Sequence, residues 1–257
     1  MARFSVTIRE EKYQALINNT LGDKELARNF VANISTVVAQ NQALQNCDAA
    51  TILSAGLMAE SLKLPLSPTL GFAYVIPYGK QAQFQIGYKG LIQLAQRTGL
   101  YERLGVRPVH QGEYVGQDEF GDDMFNFSHE FDDKPIVGYY AYFKLLNGFK
   151  KTMYWTVAQC EAHGVRFSKT GKLWKDKKDG GFEAMASKTV LKLLLNRYGP
   201  MSVDLQKAIQ ADQAAIKEDG SYEYVDGVDE EKPATNVNID IVPDGVIDDI
   251  PDGDRPF

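Results

Sequence analysis

Three polar side chains follow one another along a segment that is otherwise suited to a helix. Lys89, Gln93 and Arg97 are spaced four residues apart, so a helix would place them in one line on one face. Leu91 and Leu94 fall on another side of that helix, where they can pack on neighbouring elements. A cationic line on an anchored helix is suited to binding the phosphates of a polyanion, although an ordinary solvated helix shows the same pattern.

The residues before this segment predict N-terminal helices and then a hairpin. Apolar side chains at helical spacing, with aspartates as N-caps, predict helices over residues 10–19, 23–44 and 49–64. Two strands, 74–77 and 83–86, are predicted to pair around a Tyr-Gly-Lys-Gln turn. This hairpin leads directly into the helix predicted over residues 87–97, and would therefore anchor it.

The second half of the chain alternates predicted strands with basic and helical segments. A strand over 103–110 is followed by an acidic, turn-rich surface segment, 112–134, and two strands, 136–146 and 149–157, flank Asn147-Gly148. That dipeptide is typical of a two-residue hairpin turn. Helices are then predicted over residues 157–165, 181–198 and 204–217, with a basic loop at 166–181.

A two-residue turn at Asn147-Gly148 would place Lys144 directly opposite Lys151. Like charges in this position repel each other, and an anion bound between them would remove the conflict. The same register predicts that aromatic rings lie beside the two lysines, where they can stack on bases: Tyr142 opposite Met153 and Tyr140 opposite Trp155. Alternatively the rings face the core, and the lysines extend into solvent at the hairpin tip.

Two lysines of the predicted long helix lie one turn apart. Lys188 and Lys192 fall beside an apolar stripe formed by Phe182, Met185 and Leu193. The spacing predicts that they line a groove at the edge of a packed seam. Lys172 and Lys175, in the preceding loop, are further candidates for phosphate contacts, or serve solubility alone.

The net charge of −6 hides a partition along the chain. Residues 1–133 carry 11 Lys+Arg and 15 Asp+Glu, residues 134–217 carry 15 and 6, and residues 218–257 carry 2 and 13. The middle block, at +9, has the charge expected of a surface that binds a polyanion. The last block has few large apolar side chains and is predicted to be a disordered acidic tail.

Composition and motifs exclude several classes of protein. Cys47 and Cys160 are far apart, which favours a reducing cytoplasm over a disulfide framework or zinc site. No signal peptide and no membrane span are predicted. The glycine pattern of a phosphate-binding loop is missing, which argues against ATP-driven activity. Asp122-Asp123 and Asp132-Asp133 could imitate the carboxylates of a metal-dependent nuclease, but an acidic surface is the favoured interpretation.

Two separated blocks of the sequence resemble the RecT family of phage and prophage single-strand annealing recombinases. The first contains Leu-Pro-Leu-Ser-Pro at 64–68, the segment 70–79 and Gln-Ile-Gly-Tyr-Lys-Gly-Leu-Ile at 85–92. The second contains Trp174, Glu-Ala-Met-Ala-Ser-Lys-Thr at 183–189 and Arg-Tyr-Gly-Pro-Met-Ser at 197–202. The similarity covers roughly residues 20 to 215.

The resemblance implies a protein that anneals complementary single strands without ATP. No cofactor is expected, although Mg²⁺ could modulate DNA binding. The resemblance also implies a homo-oligomer, as a ring or helical filament, and a partner exonuclease that exposes the strands. The fold expected is α+β, with N-terminal helices and antiparallel hairpins packed on a long helix, as an annealing core over residues 1–217. Matched motifs and basic faces together predict these DNA-binding residues: Lys89, Arg97, Arg107, Lys144, Lys151, Lys172, Lys175, Lys188 and Lys192.

Two alternatives stay open, a coating protein that binds single strands without annealing them and a metal-dependent nuclease. The final residues, Asp254-Arg255-Pro256-Phe257, are also similar to the acidic tip of bacterial single-strand-binding proteins. That similarity implies docking on host proteins that receive the tip, although Arg255 departs from its pattern.

Overall fold

The computed structural model describes residues 4–168, 172–217 and 220–224. The N-terminal region contains the helices α1 Phe4–Thr7, α2 Glu11–Leu21, α3 Lys24–Gln40 and α4 Ala49–Ser61. The last three correspond to the predicted helices, although α3 and α4 end three or four residues earlier than predicted, and α1 is not among the predicted elements. The carboxylate of Asp23 accepts hydrogen bonds from two backbone N–H groups at the start of α3, and Asp48 accepts one at the start of α4. Both aspartates are therefore the N-caps that the sequence predicts.

A hairpin and a short helix follow. Strands β1 Ala73–Tyr78 and β2 Gln81–Ile86 pair in antiparallel register, and α5 Tyr88–Gln96 begins immediately afterwards. Leu91, Leu94 and Ala95 are buried, which confirms the predicted apolar side of this helix.

The next part of the chain forms two antiparallel sheets. The strands are β3 Tyr101–His110, β4 Tyr114–Gln117, β5 Asp123–Phe125, β6 Ile136–Leu145 and β7 Lys150–Thr156. Strands β3, β6 and β7 pair in that order as a three-stranded sheet, whereas β4 and β5 form a separate hairpin. The acidic segment predicted as a surface excursion thus contains regular structure of its own.

The last described elements return to the first hairpin. They are the helices α6 Val157–Phe167, α7 Lys172–Lys175, α8 Gly181–Tyr198 and α9 Val203–Ala211, then strands β8 Ala214–Ile216 and β9 Tyr222–Tyr224. Strands β1, β2, β8 and β9 form a four-stranded sheet in that order.

The helix predicted over residues 204–217 is too long. The helix ends at Ala211, because Asp212 is already extended with a ψ of 122°. Gln213 then adopts a φ of 66°, and Ala214 pairs with Phe84 in the sheet. Burial of residues 214–216 in the sheet overrides the helical preference of two alanines. Strand β9 also lies past residue 217, where the sequence places the end of the core, and residues 225–257 of the predicted tail lie outside the described residues.

Helix α8 is the central element of the fold. It contacts the three strands of the β3-β6-β7 sheet and also α5, and residues 185–191 are all buried. One hydrophobic cluster connects this helix to Phe84 of the four-stranded sheet and to Phe143 of the three-stranded sheet. The α+β class and the packing of antiparallel hairpins on a long helix are thereby confirmed. No helix among the described residues is both long enough and apolar enough to cross a membrane.

Candidate nucleic-acid interface

The register of the β6-β7 hairpin differs by one residue from the predicted register. The loop has three residues, Leu146, Asn147 and Gly148, and Gly148 adopts a left-handed φ of 90°. The N–H of Leu145 donates to the carbonyl oxygen of Phe149, which closes the loop. Asn-Gly therefore marks the hairpin correctly, but the longer loop shifts each cross-strand pair.

The prediction that Lys144 and Lys151 share one anion is wrong, because the two lysines are not opposed. Lys151 is paired with Phe143, and its ammonium binds the carboxylate of Asp122 and lies 5.7 Å from the ring centre of Tyr198. The hydrogen bond to Asp122 raises the pKa of Lys151. Lys151 thus fixes the β4-β5 hairpin to the edge of the sheet.

The two faces of the β3-β6-β7 sheet have opposite characters. Ala141 and Phe143 are buried in the core against α8. Because side chains alternate along a strand, Tyr142 and Lys144 lie on the other face. That open face carries the candidate site.

Three cations lie side by side across the open face. Lys144 is the register partner of Arg103 on one side and of Lys150 on the other. Neighbouring strands are about 4.8 Å apart, so the three residues span about 10 Å. Arg103 and Lys150 are exposed, and the Lys144 side chain is 45% exposed. We call Arg103, Lys144 and Lys150 the cation row.

One acidic side chain partly neutralises the row. The ammonium of Lys144 lies 2.7 Å from Glu102, whose side chain is 39% exposed. The register shifts between Tyr101 and Arg103, so Glu102 is the extra residue of a β-bulge. An exposed ion pair of this kind contributes about 0–1 kcal/mol. The row therefore keeps a surplus of positive charge that an anion can neutralise.

An aromatic ring lies directly beside the row. Tyr142 is paired with Gly105 and Thr152, and its ring packs on Tyr140 with 5.7 Å between ring centres and 24° between planes. A Cβ atom at Gly105 would lie 2.8 Å from the Tyr142 hydroxyl oxygen. Glycine at position 105 therefore leaves space for the hydroxyl end of this ring.

The β4-β5 hairpin covers the remaining part of the open face. The ring of Tyr114 stacks on Tyr154 with 5.7 Å between centres, and Phe125 packs on both Tyr154 and Tyr140. Phe127 packs on Tyr140 as well. The face is thus divided into an aromatic half beneath the hairpin and an uncovered basic half.

Arg107, a predicted DNA-binding residue, lies in the covered half. Its guanidinium is 3.0 Å from the fully buried carboxylate of Glu113 and 3.9 Å from the ring centre of Phe127. Glu113 also accepts a hydrogen bond of 2.6 Å from the backbone N–H of His110. These contacts give Arg107 a structural role, since they anchor the segment that enters β4.

The prediction that Lys188 and Lys192 line an open groove is also wrong. The side chain of Lys188 is only 6% exposed, and its ammonium lies 2.7 Å from Asp212. Lys192 is 21% exposed and lies 3.1 Å from the second oxygen of the same carboxylate. Burial alone would raise the pKa of Asp212, but the two lysines outweigh it and lower that pKa. Asp212 also accepts a hydrogen bond from the backbone N–H of Ile86. This cluster therefore connects α8 to strand β2 of the four-stranded sheet.

The face of α5 that carries Lys89, Gln93 and Arg97 also takes part in the packing of the fold. The guanidinium of Arg97 donates to the carbonyl oxygens of Leu62 at 2.5 Å and Lys63 at 2.8 Å, at the C-terminal end of α4. A cation there satisfies carbonyls that have no helical partner. Lys89 is exposed on the first turn of α5. The predicted line is therefore one anchored arginine and one lysine that stays a candidate.

Lys172 and Lys175 are exposed on the single turn of α7. Between them Trp174 is buried against Gly164 of α6, which holds the turn on the fold. The two lysines therefore stay candidates for phosphate contacts.

The ring of Trp155 packs on α6 and lies on the core side of the sheet, because Trp155 is paired with the buried Tyr139. It packs on His163 with 5.5 Å between ring centres, and His163 also contacts Phe167 and Trp174. Burial, with Lys192 and Arg166, lowers the pKa of His163 to about 4. The core interpretation of Trp155 is thus confirmed.

Three of the four carboxylates that suggested a nuclease have other partners. Asp122 binds Lys151, Asp123 accepts a hydrogen bond from Gln117, and Asp132 lies 3.0 Å from His129. Within residues 4–168, 172–217 and 220–224, no three His, Cys, Asp or Glu side chains lie close enough together to hold a metal ion.

Two members of the cation row, Arg103 and Lys150, are missing from the residues predicted from sequence. Neither lies in a recognisable motif, and their only signal is the pairing of three strands. The pairing of β3 with β6 joins residues about forty positions apart, and no local pattern specifies it.

Comparisons with known proteins agree with the resemblance seen in the sequence. The model of the RecT family matches residues 28–232. Protein RecT of Escherichia coli (strain K12) is 32% identical over 200 residues, which cover 73% of this chain and 71% of that protein. The uncharacterized protein YqaK of Bacillus subtilis (strain 168) is 41% identical over 200 residues, which cover 78% of this chain and 67% of that protein. The chain therefore belongs to the RecT family, whose members are single-strand annealing proteins of homologous recombination.

Proposed function

We propose that this protein binds single-stranded DNA across the cation row and pairs it with a complementary strand without ATP or another cofactor. The observation that carries the proposal is the alignment of Arg103, Lys144 and Lys150 on an uncovered sheet face. Phosphates bound there would release counterions whatever the sequence, which suits a protein that must accept any strand.

Annealing adds a second requirement to binding. A bound strand must leave the pairing edges of its bases free, so that a partner strand can test them. Cations hold only the phosphates, and an open sheet face has no wall opposite it. In this proposal base pairing supplies the specificity, and the protein supplies charge neutralisation and alignment of the two strands.

The proposal includes several partners. The protein works in the cytoplasm as a homo-oligomer, either a ring or a helical filament, on strands exposed by a partner exonuclease. Mg²⁺ modulates DNA binding by screening phosphates. The acidic tail docks weakly on host proteins that bind the acidic tip of single-strand-binding proteins.

Annealing of two complementary oligonucleotides tests the proposal directly. We expect the variant with Arg103→Gln, Lys144→Gln and Lys150→Gln to anneal at least tenfold more slowly than the unchanged protein. The matched control changes three exposed lysines elsewhere, Lys24→Gln, Lys80→Gln and Lys207→Gln, with the same change in charge. Equal rates for the two triple variants would reject the row as the annealing surface.

Order of addition separates annealing from simple coating. An annealing protein pairs the strands when it is bound to one strand before the second is added, whereas a coating protein protects the first strand and delays pairing. Degradation of either strand that requires Mg²⁺ would instead support the nuclease alternative.

A further inference from the structure

The rings on the open face of the β3-β6-β7 sheet are not equivalent. Tyr140 and Tyr154 are covered by rings of the β4-β5 hairpin. Tyr142 lies at the border, with Tyr140 on one side and Lys144 two residues further along the same strand. It is therefore the ring placed between the aromatic half of the face and the cation row.

We propose that the ring of Tyr142 is a stacking platform for a base of the bound strand, and that it gives this surface its preference for single strands. This inference rests on the proposed function, because it needs a strand on the cation row. Residues two apart on one face of a strand are separated by about 6.6 Å. A nucleotide whose phosphate binds Lys144 therefore has its base within reach of Tyr142.

The surroundings of Tyr142 hold its ring in place before DNA arrives. Gly105 leaves space for the hydroxyl end of the ring, and Tyr140 supports it with nearly parallel planes. A side chain that is already ordered loses little rotational freedom on binding, which favours affinity. The support of Tyr142 is thus the kind that a stacking platform requires.

Stacking on Tyr142 would allow a surface without base-specific groups to prefer single strands over duplexes. Each base of a single strand has a π-face that an aromatic ring can cover, whatever the sequence. In a duplex the neighbouring base pairs already cover these faces. A duplex can therefore bind the cation row but gains nothing from Tyr142.

The test compares Tyr142→Leu and Tyr142→Phe on two probes, an oligothymidine and an abasic strand of the same length. For the oligothymidine we expect Tyr142→Leu to lose about tenfold in affinity, with the same dependence on salt, and Tyr142→Phe to bind like the unchanged protein. For the abasic strand, which has phosphates but no bases, we expect all three proteins to bind equally. The control Phe120→Leu removes a ring that is 80% exposed in the turn between β4 and β5, and it should change neither affinity.

Several outcomes would overturn this inference. Unchanged binding of the oligothymidine by Tyr142→Leu would do so, as would an equal loss on both probes, which indicates damage to the surface. The triple variant of the cation row distinguishes the two proposals, because it should reduce the salt dependence on both probes. If the triple variant reduces the salt dependence but Tyr142→Leu binds like the unchanged protein, the stacking platform is rejected and the cation row is not. No effect of either would reject the site itself.

Discussion

Two groups of basic residues in this protein lie in opposite environments. Lys188 and Lys192 are one turn apart on a helix and converge on the buried carboxylate of Asp212. Arg103, Lys144 and Lys150 come from three strands and stand on an open face. The comparison teaches that the position of a lysine in a motif does not show whether its charge is exposed or paired inside the fold. Burial and the nearest carboxylate decide which charge stays available for a phosphate.

The buried group should therefore affect stability far more than binding. Removing one partner of a buried ion pair costs about 3–5 kcal/mol when the other charge is left without a counterion. In Lys188→Ala the carboxylate of Asp212 keeps Lys192 and the N–H of Ile86. We therefore expect the free energy of unfolding to fall by less than that, about 2–3 kcal/mol, measured by urea denaturation.

The control for this prediction is Lys172→Ala on the exposed turn of α7, for which a change within about 0.5 kcal/mol is expected. A Lys188→Ala protein that is as stable as the control but has lost DNA binding would contradict the division into two groups.

The pH dependence of stability tests a second buried group, His163. The expected effect is smaller than that of Lys188→Ala. The pKa of His163 is about 4 in the folded protein, against 6.5 for an ordinary histidine. The unfolded chain therefore binds more protons between these values, and stability falls as the pH drops from about 6.5 to about 4. Between about pH 7 and pH 5 we expect a loss of at most about 2 kcal/mol from this residue.

His163→Asn should remove that part of the pH dependence, as measured by urea denaturation at the two pH values. Asp212 contributes in a lower range, because its lowered pKa supplies stability above about pH 4 that is lost on further acidification. An identical pH slope in His163→Asn and the unchanged protein would show that His163 is not buried as described.

The exposed row should give the smallest change in stability. Lys150 stands opposite Lys144, and like charges in that position are unfavourable. We therefore expect Lys150→Gln to stabilise the free protein slightly, by about 0.2–0.5 kcal/mol, in thermal or urea unfolding at low salt.

The gain from Lys150→Gln should vanish at high salt, which screens exposed charges. A destabilisation of more than about 1 kcal/mol would show that Lys150 makes a structural contact, and the row would then resemble the buried group.

The sequence predicts most elements of this fold and few of its long-range contacts. Helical spacing and aspartate caps locate the N-terminal helices, because these signals act within one or two turns. Asn147-Gly148 locates the hairpin, but one extra loop residue shifts its register and separates Lys144 from Lys151. For the same reason the sequence could name Lys144 but could not join it to Arg103, since the pairing of β3 with β6 depends on tertiary packing.

Lys188 illustrates the opposite limit. Its spacing from Lys192 is visible in the sequence, but the carboxylate that binds both lysines does not lie nearby in the chain. Asp212 lies in the short connection between α9 and β8. Only the folded chain shows that this basic pair faces a carboxylate.

The salt dependence of single-strand affinity tests the central claim most directly. Each phosphate contact that is lost should reduce the slope of log affinity against log salt by about 0.7. If the cation row holds the strand, the variant with Arg103→Gln, Lys144→Gln and Lys150→Gln should show a slope smaller by about 2, and the Lys24, Lys80 and Lys207 control an unchanged one. Equal slopes for the row variant, the control and the unchanged protein, with all three folded, would contradict the account.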